Sequence, residues 1–329
     1  MCKVAAARPA GVAAPAASFA TVAARTALAL GLWPLLLTVP LALRHNYDKV
    51  WPESWYAYEP SARPSPLGLS LGIGAVAVGQ VWVLLYQYVR WRGSEALGEL
   101  KKIQPNGASA AYDYKEGVLT HLAQPEGFVL LGVYLSVTWM LQMMPNSYYS
   151  FEGGIDLPRA FACLLLQDFL QYAMHRFEHK AHAAIYRISH KPHHRFTNPR
   201  LFDAFNGSLG DTLLMIVLPL YLTANLINCN VWTYMTFGSL YANWLCLIHS
   251  EFDHAWDGLF KAIGFGTAAD HHVHHKLFSK NYGHLFMYWD VAGGTYKDAA
   301  SVGAFQPNSV TQTGEVLAGD AARDAGKAD

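Results

Sequence analysis

Long uncharged apolar runs separated by polar connections dominate much of the chain. Thr26–Leu43 is bracketed by Arg25 and Arg44. Gly68–Val89 extends 22 residues without a charge, and Gly127–Met144 extends 18 before Pro145 stops it. Thr212–Ile227 and Val231–Ile248 follow, separated only by Asn228-Cys229-Asn230. Such runs match a bilayer core about 30 Å thick. A buried helix of a water-soluble core would instead show amphipathic periodicity. The pattern predicts an all-α, multi-pass helical membrane protein with about four to six spans.

A further segment, Arg159–Met174, is apolar except for Asp168. A carboxylate at membrane depth costs about 2.5–3.5 kcal/mol, so Asp168 should face a polar interior. It precedes His175 by seven residues, two helical turns, and shares its face. With the N-terminus cytosolic, the loop Arg90–Glu126 is cytosolic and carries Arg90, Arg92, Lys101, Lys102 and Lys115. The opposite connections carry only Arg44, Lys49 and Arg63, in keeping with the positive-inside rule. This threading brings every histidine from His175 onward to one cytosolic face. The ends read differently. Residues 1–23 form an arm, disordered or targeting, since the first 30 residues hold 13 alanines and no acid precedes Asp48. Residues 24–158 carry the first spans, and 306–329 read as a disordered tail.

Charge narrows the classes. Lys+Arg and Asp+Glu balance at 24 each, which excludes a strongly basic nucleic-acid binder. The four cysteines show no C-x-x-C spacing, so neither a thiolate zinc site nor a disulfide framework is indicated. There is no P-loop and no G-x-G-x-x-G. The 15 histidines change the picture because they cluster. His175-Arg-Phe-Glu-His179 is an H-x-x-x-H, and His190-Lys-Pro-His193-His194 is an H-x-x-H-H. His249 ends the last apolar run, with His254 five residues on, and His271-His272-Val273-His274-His275 contains a second H-x-x-H-H. On a helix, positions i, i+3 and i+4 share one face, so each motif aims two or three imidazoles at one point. Chance would supply roughly 0.03 copies of H-x-x-H-H in such a chain. Imidazole suits iron, copper, zinc and nickel rather than magnesium or calcium. Eight or nine nitrogens exceed the needs of one ion, so two ions are expected. Nearly all-nitrogen ligation leaves their charge to outer carboxylates, and Asp168, Glu178, Asp253 and Asp270 are placed to serve.

This series of motifs, with membrane spans before and between, resembles the fatty acid hydroxylase/sterol desaturase superfamily of membrane di-iron oxygenases. Further matching phrases are Tyr186-Arg-Ile-Ser-His190 and Asn281-Tyr282-Gly283-His284, running into Tyr288-Trp289-Asp290 and Gly293-Gly294-Thr295-Tyr296. The likeness covers about Phe161–Tyr296, within a catalytic domain at 159–305. It implies a helical stem under a cytosolic cap holding two iron ions, with zinc an alternative occupant on purification. It also implies O₂ as co-substrate, a lipid substrate from the bilayer, and electrons from a separate cytochrome b5-type donor. Carried over, it makes His175, His179, His190, His193, His194, His249, His271, His274 and His275 metal ligands, with His254 a candidate tenth. His272 and His182 read as outer-sphere or structural, His45 and His121 as structural, and His284 as either lining the site or packing. Phe196, Leu201, Phe202 and Phe205 line a substrate entrance or belong to the core of the cap. The phrasing leans toward sterol C-5 desaturase or C-4 methyl oxidase over the fatty-acyl hydroxylases. The membrane expected is endoplasmic reticulum, with plastid the alternative.

Two other classes stand beside this reading. His175-x-x-Glu178-His179 also fits the H-x-x-E-H pattern of a zinc hydrolase, which leaves both H-x-x-H-H motifs unused. A metal transporter would place its ligands at mid-bilayer on broken helices rather than at one interface. Asn206-Gly-Ser208 is a glycosylation acceptor by sequence and faces the cytosol in this threading.

Overall fold

The computed structural model describes residues 18–94, 100–105 and 113–305. The expected tail and most of the expected arm lie outside these. The arm ends earlier than 23, because helix α1 (Phe19–Leu36) starts where the Ser18 side chain accepts from the Thr21 amide. Pro34 and Pro40 lack the amide hydrogens a continuous helix needs, so the first apolar run is divided into α1 and α2 (Thr38–Leu43). Helices α3 (Leu67–Arg92), α4 (Tyr114–Leu122), α5 (Pro125–Met140) and α6 (Leu157–Lys180) follow. After the short α7 (Ala183–Ile188), Thr212–Val217 forms a π-helical turn leading into α8 (Leu218–Leu226). Pro219 offers no amide hydrogen, and the wider turn absorbs that defect. Helix α9 (Val231–Ile248) and α10 (Ala268–Leu277) complete the scaffold.

Among the described residues, four segments, Phe19–Leu36, Leu67–Arg92, Tyr114–Met140 and Leu209–Leu226, are long and apolar enough to cross a membrane. Val81, Leu85 and Val89 on α3, and Val129, Val133 and Val137 on α5, are exposed at i, i+4 spacing. Such stripes suit a lipid-facing surface. Helix α9 is the exception: nearly all of it is buried, because α1, α2, α3 and α6 pack against it. Its closeness to α3 depends on Gly79, where a Cβ would stand 2.1 Å from Asn243 Nδ2. Polar side chains between the helices are mutually satisfied. Gln80 donates to Asn243 Oδ1 at 2.9 Å, and Ser239 donates to the Leu36 carbonyl at 2.6 Å.

At the end away from the histidines, Asn230 caps α9 and donates to the carbonyls of Glu152 and Gly154 at 2.6 and 2.7 Å. At the other end, the C-terminal turns of α6 and α9 rise into a cap made with α7, α10 and the loop 281–296. Asp168 ties stem to cap. Its carboxylate accepts from the amides of Leu285, Phe286 and His284 at 2.7, 2.9 and 3.3 Å, and from the Tyr241 hydroxyl at 3.0 Å. A buried carboxylate is stable where such donors converge on it.

Candidate metal centre

Nine imidazoles converge where the cap meets the stem. His175, His179, His190, His194 and His274 form one group and His193, His249, His271 and His275 another, the ligand nitrogens in each lying within 4.8 Å of one another. In the first, Nε2 of His175 stands 2.9 Å from that of His190, and His194 Nε2 stands 3.0 Å from those of His179 and His274. In the second, His249 Nε2 is 3.2 Å from His193 and 3.0 Å from His271, which is 3.1 Å from His275. Nitrogens bound about 2.1 Å from one ion at right angles stand about 3 Å apart, so these spacings fit ligation. Each H-x-x-H-H motif feeds both groups. His190 and His194 enter the first while His193 enters the second; His271 and His275 enter the second while His274 crosses to the first.

The outward nitrogens fix the rings. Nδ1–H donates to carbonyls of Tyr282 from His175 at 2.7 Å, Lys280 from His274 at 2.8 Å, Leu245 from His249 at 2.6 Å and Asn206 from His193 at 3.3 Å. A carbonyl only accepts, so each of these rings presents a bare Nε2 lone pair inward. Burial, reinforced by neighbouring histidines, pulls His175, His179, His194, His249, His271, His274 and His275 well below the ordinary imidazole range. Burial brings His193 down to about 4. His190 differs: burial pulls it down, yet Asp211 and Glu178 outweigh that and raise it.

The fatty acid hydroxylase family matches residues 160–295, nearly the stretch in which the motifs lie. The chain is 59% identical over 276 residues to the alternative squalene epoxidase of Phaeodactylum tricornutum, covering 81% of this chain and 78% of that protein. It is 30% identical over 138 residues to methylsterol monooxygenase 1 of Danio rerio, covering 41% and 45%. It is 33% identical over 158 residues to lathosterol oxidase of Rattus norvegicus, covering 44% and 47%. The chain belongs to the fatty acid hydroxylase/sterol desaturase superfamily. No solved structure matches it. This superfamily member is a membrane oxidoreductase acting on lipids, with histidine clusters able to bind metal.

Other expected site residues fall in different places. His254 lies outside both groups: its Nε2 meets the Leu247 carbonyl at 3.0 Å and its Nδ1 the Tyr86 hydroxyl at 3.1 Å, so neither nitrogen is available. Asp253 sits among Lys101, Arg90 and Arg25 rather than behind a ligand. Asp270 caps α10, accepting from Thr267 Oγ1 at 2.7 Å, and Asp168 supports the 284–286 loop instead of a histidine. His272 points away, toward Gln104 at 2.9 Å and the Ser250 carbonyl at 3.0 Å. His182 caps α7, and His121 bonds Gln80 Oε1 at 2.9 Å. Leu201 and Phe202 are cap core.

Glu178 does approach the centre from outside, 3.8 Å from His190 Nδ1, and burial raises its carboxyl to about 7. It therefore faces the His190 ring nitrogen turned away from the other imidazoles, the wrong side for activating a water on an ion held among them. The residue missed by sequence reading is Asp211, whose Oδ1 accepts from His190 Nδ1 at 2.6 Å. No motif marks Asp211; it follows the helix-capping Ser208 and is brought back across 21 residues.

Beneath the centre, an apolar cavity of about 100 Å³ opens between α3, α5, α8 and α9. Phe205 lines it, as do Gly72, Ile216 and Gly238. At its upper end stand Gln171, Tyr241 and Leu245. Gln171 and Leu245 are each four residues, about 6 Å, below His175 and His249 on α6 and α9.

Proposed function

We propose that this chain is an O₂-dependent di-iron oxygenase that epoxidises a long unsaturated hydrocarbon of the squalene class, drawn from the bilayer. The observation that carries the reading is the extent of the Phaeodactylum match. Its 276 residues exceed the 136-residue family segment and so take in much of the stem, whereas the sterol oxidases match only 138 and 158 residues. The stem forms the cavity, and the cavity selects substrate. The sterol C-5 desaturase expectation yields to this reading because those enzymes match no more than half of the chain, at 30–33% identity.

Two iron ions held by the nine imidazoles would supply O₂ reduction and transfer of one oxygen atom, with electrons from a cytochrome b5-type partner at the cytosolic face. The chain's own contribution is positioning and exclusion of water. Neutral imidazoles with fixed tautomers present their lone pairs inward, and Asp211 holds His190. The cavity accepts an uncharged chain and leads it to within one helical turn of His175 and His249. Its polar groups are mostly engaged: Gln167 Oε1 accepts from Thr223 at 3.1 Å, and Tyr241 donates to Asp168. An apolar polyene needs no further partners. In this reading the membrane is endoplasmic reticulum, as expected for sterol and triterpene synthesis.

The test is a lipid profile by mass spectrometry in a yeast lacking its own squalene epoxidase, expressing either this chain or its His274→Ala form. A squalene derivative one oxygen heavier and restored sterols, both absent in the variant, are expected. A histidine-dependent change in sterol unsaturation with squalene untouched would instead assign sterol desaturation.

A further inference from the structure

The two ion positions are unequally furnished. The first group has five nitrogens, from two i, i+4 pairs and His274; the second has four, from one such pair, His193 and His249. His254, expected to make up the number, is engaged elsewhere. Another histidine stands at the gap. His284 is 4% exposed, with its ring centroid 4.9 Å from that of His271 and 5.1 Å from that of His175. Recorded centroid separations within the second group run from 4.3 to 5.4 Å, so His284 stands from His271 as the members of that group stand from one another, one step outside the 4.8 Å nitrogen grouping.

Its surroundings give the ring no other task. The backbone is held on both sides: the amide donates to Asp168 Oδ1 at 3.3 Å, and the carbonyl accepts from Trp244 Nε1 at 2.8 Å. Gly266 packs so closely that a Cβ there would stand 2.6 Å from this carbonyl oxygen. The imidazole so positioned has a buried Nδ1 with no hydrogen-bond partner. Buried polar atoms in native proteins are rarely left without a partner, and an orphan beside a ligand cluster points to an ion.

We propose that His284 is a tenth imidazole ligand, the fifth for the ion held by His193, His249, His271 and His275. The inference rests on the two-ion reading above and concerns only how the second ion is held. The test uses the full chain in detergent, loaded with Fe(II), comparing the unaltered protein with His284→Ala and His284→Gln; His182→Ala, in the α7 cap, is the control. Metal per chain and the rate of loss to a chelator are measured, along with the nitrogen coordination number from X-ray absorption. The unaltered protein and the control should hold two ions. Both His284 variants should keep one ion firmly, lose the other about tenfold faster or more, and show a lower mean nitrogen number. Glutamine fills the space without replacing the ligand, so it separates ligation from packing and serves if the alanine variant does not fold. Unchanged release in both variants, or full retention in His284→Gln, would overturn the proposal. Failure of the unaltered protein to hold two ions would overturn the two-ion reading with it.

Discussion

Gly72 and Gly79 lie seven residues apart on one face of α3, yet the structure assigns them opposite consequences. A Cβ on Gly72 meets nothing within 4 Å and projects toward the cavity, whereas on Gly79 it would stand 2.1 Å from Asn243 Nδ2. In Gly79→Ala, Asn243 must move, giving up its bond from Gln80 at 2.9 Å and its own to the Ser239 carbonyl at 2.7 Å. Two disrupted buried hydrogen bonds at about 1–3 kcal/mol each, less about 1 kcal/mol of helix propensity gained, leave a net loss of about 1–5 kcal/mol. Gly72→Ala should gain about that 1 kcal/mol, because no neighbour is displaced. Its larger relative Gly72→Leu should keep the fold but obstruct the cavity. One misplaced methylene in an apolar site changes kcat/KM by roughly 10–200-fold, so a loss of at least about tenfold is expected. Melting in detergent and oxygenated product per enzyme, measured on the same samples, separate the two effects. A folded Gly72→Leu protein with undiminished turnover would refute the cavity as the substrate's route.

Asp211→Asn removes the charge from a 2.6 Å bond to His190 and should weaken metal retention about 10–100-fold with the melting profile of the metal-free form little changed; competition with a chelator measures it. His274→Ala should abolish product, while Glu178→Gln should be milder because Glu178 faces the outer nitrogen of His190; equal losses in the two would return the hydrolase reading. The metal-free protein should lose stability as pH falls below about 6.5. The eight lowered histidines of the two groups, with His254, His272 and His284, stay neutral while the unfolded chain takes up protons, at about 1.4 kcal/mol per histidine per pH unit; His190 and the fewer buried carboxyls with raised values, Glu178 and Asp257 among them, oppose the trend without outnumbering it. Melts of chelated protein at about pH 7.5 and 5.5 check the sign, and equal or higher stability in acid would contradict it. Asn206 accepts from Arg195 on the histidine-bearing face and should carry no glycan; finding one by mass spectrometry would reverse the orientation.

What the sequence alone determined was local in origin. Membrane spans are legible because each must satisfy its backbone and bury its apolar length within one continuous run. The H-x-x-x-H and H-x-x-H-H motifs are legible because helical spacing alone aims their rings together. Tertiary structure decided the rest. Which group each ring joins depends on how α6, α9 and α10 are rotated against one another, and so the two H-x-x-H-H motifs exchange one histidine each. His254 follows His249 by only five residues, yet the chain turns after α9 and sends it to Tyr86 and the Leu247 carbonyl. Asp253 and Asp270 look like outer-sphere carboxylates by proximity in sequence, but salt neighbours and a helix cap claim them. Asp211 carries no motif, and His284 belongs to the Asn281–His284 phrase without its role being fixed by it; both reach the centre only because a capped helix start and an Asp168-anchored loop fold onto it. Hydrogen bonds act over about 3 Å, a distance that spacing along a chain does not encode once the chain leaves a regular helix.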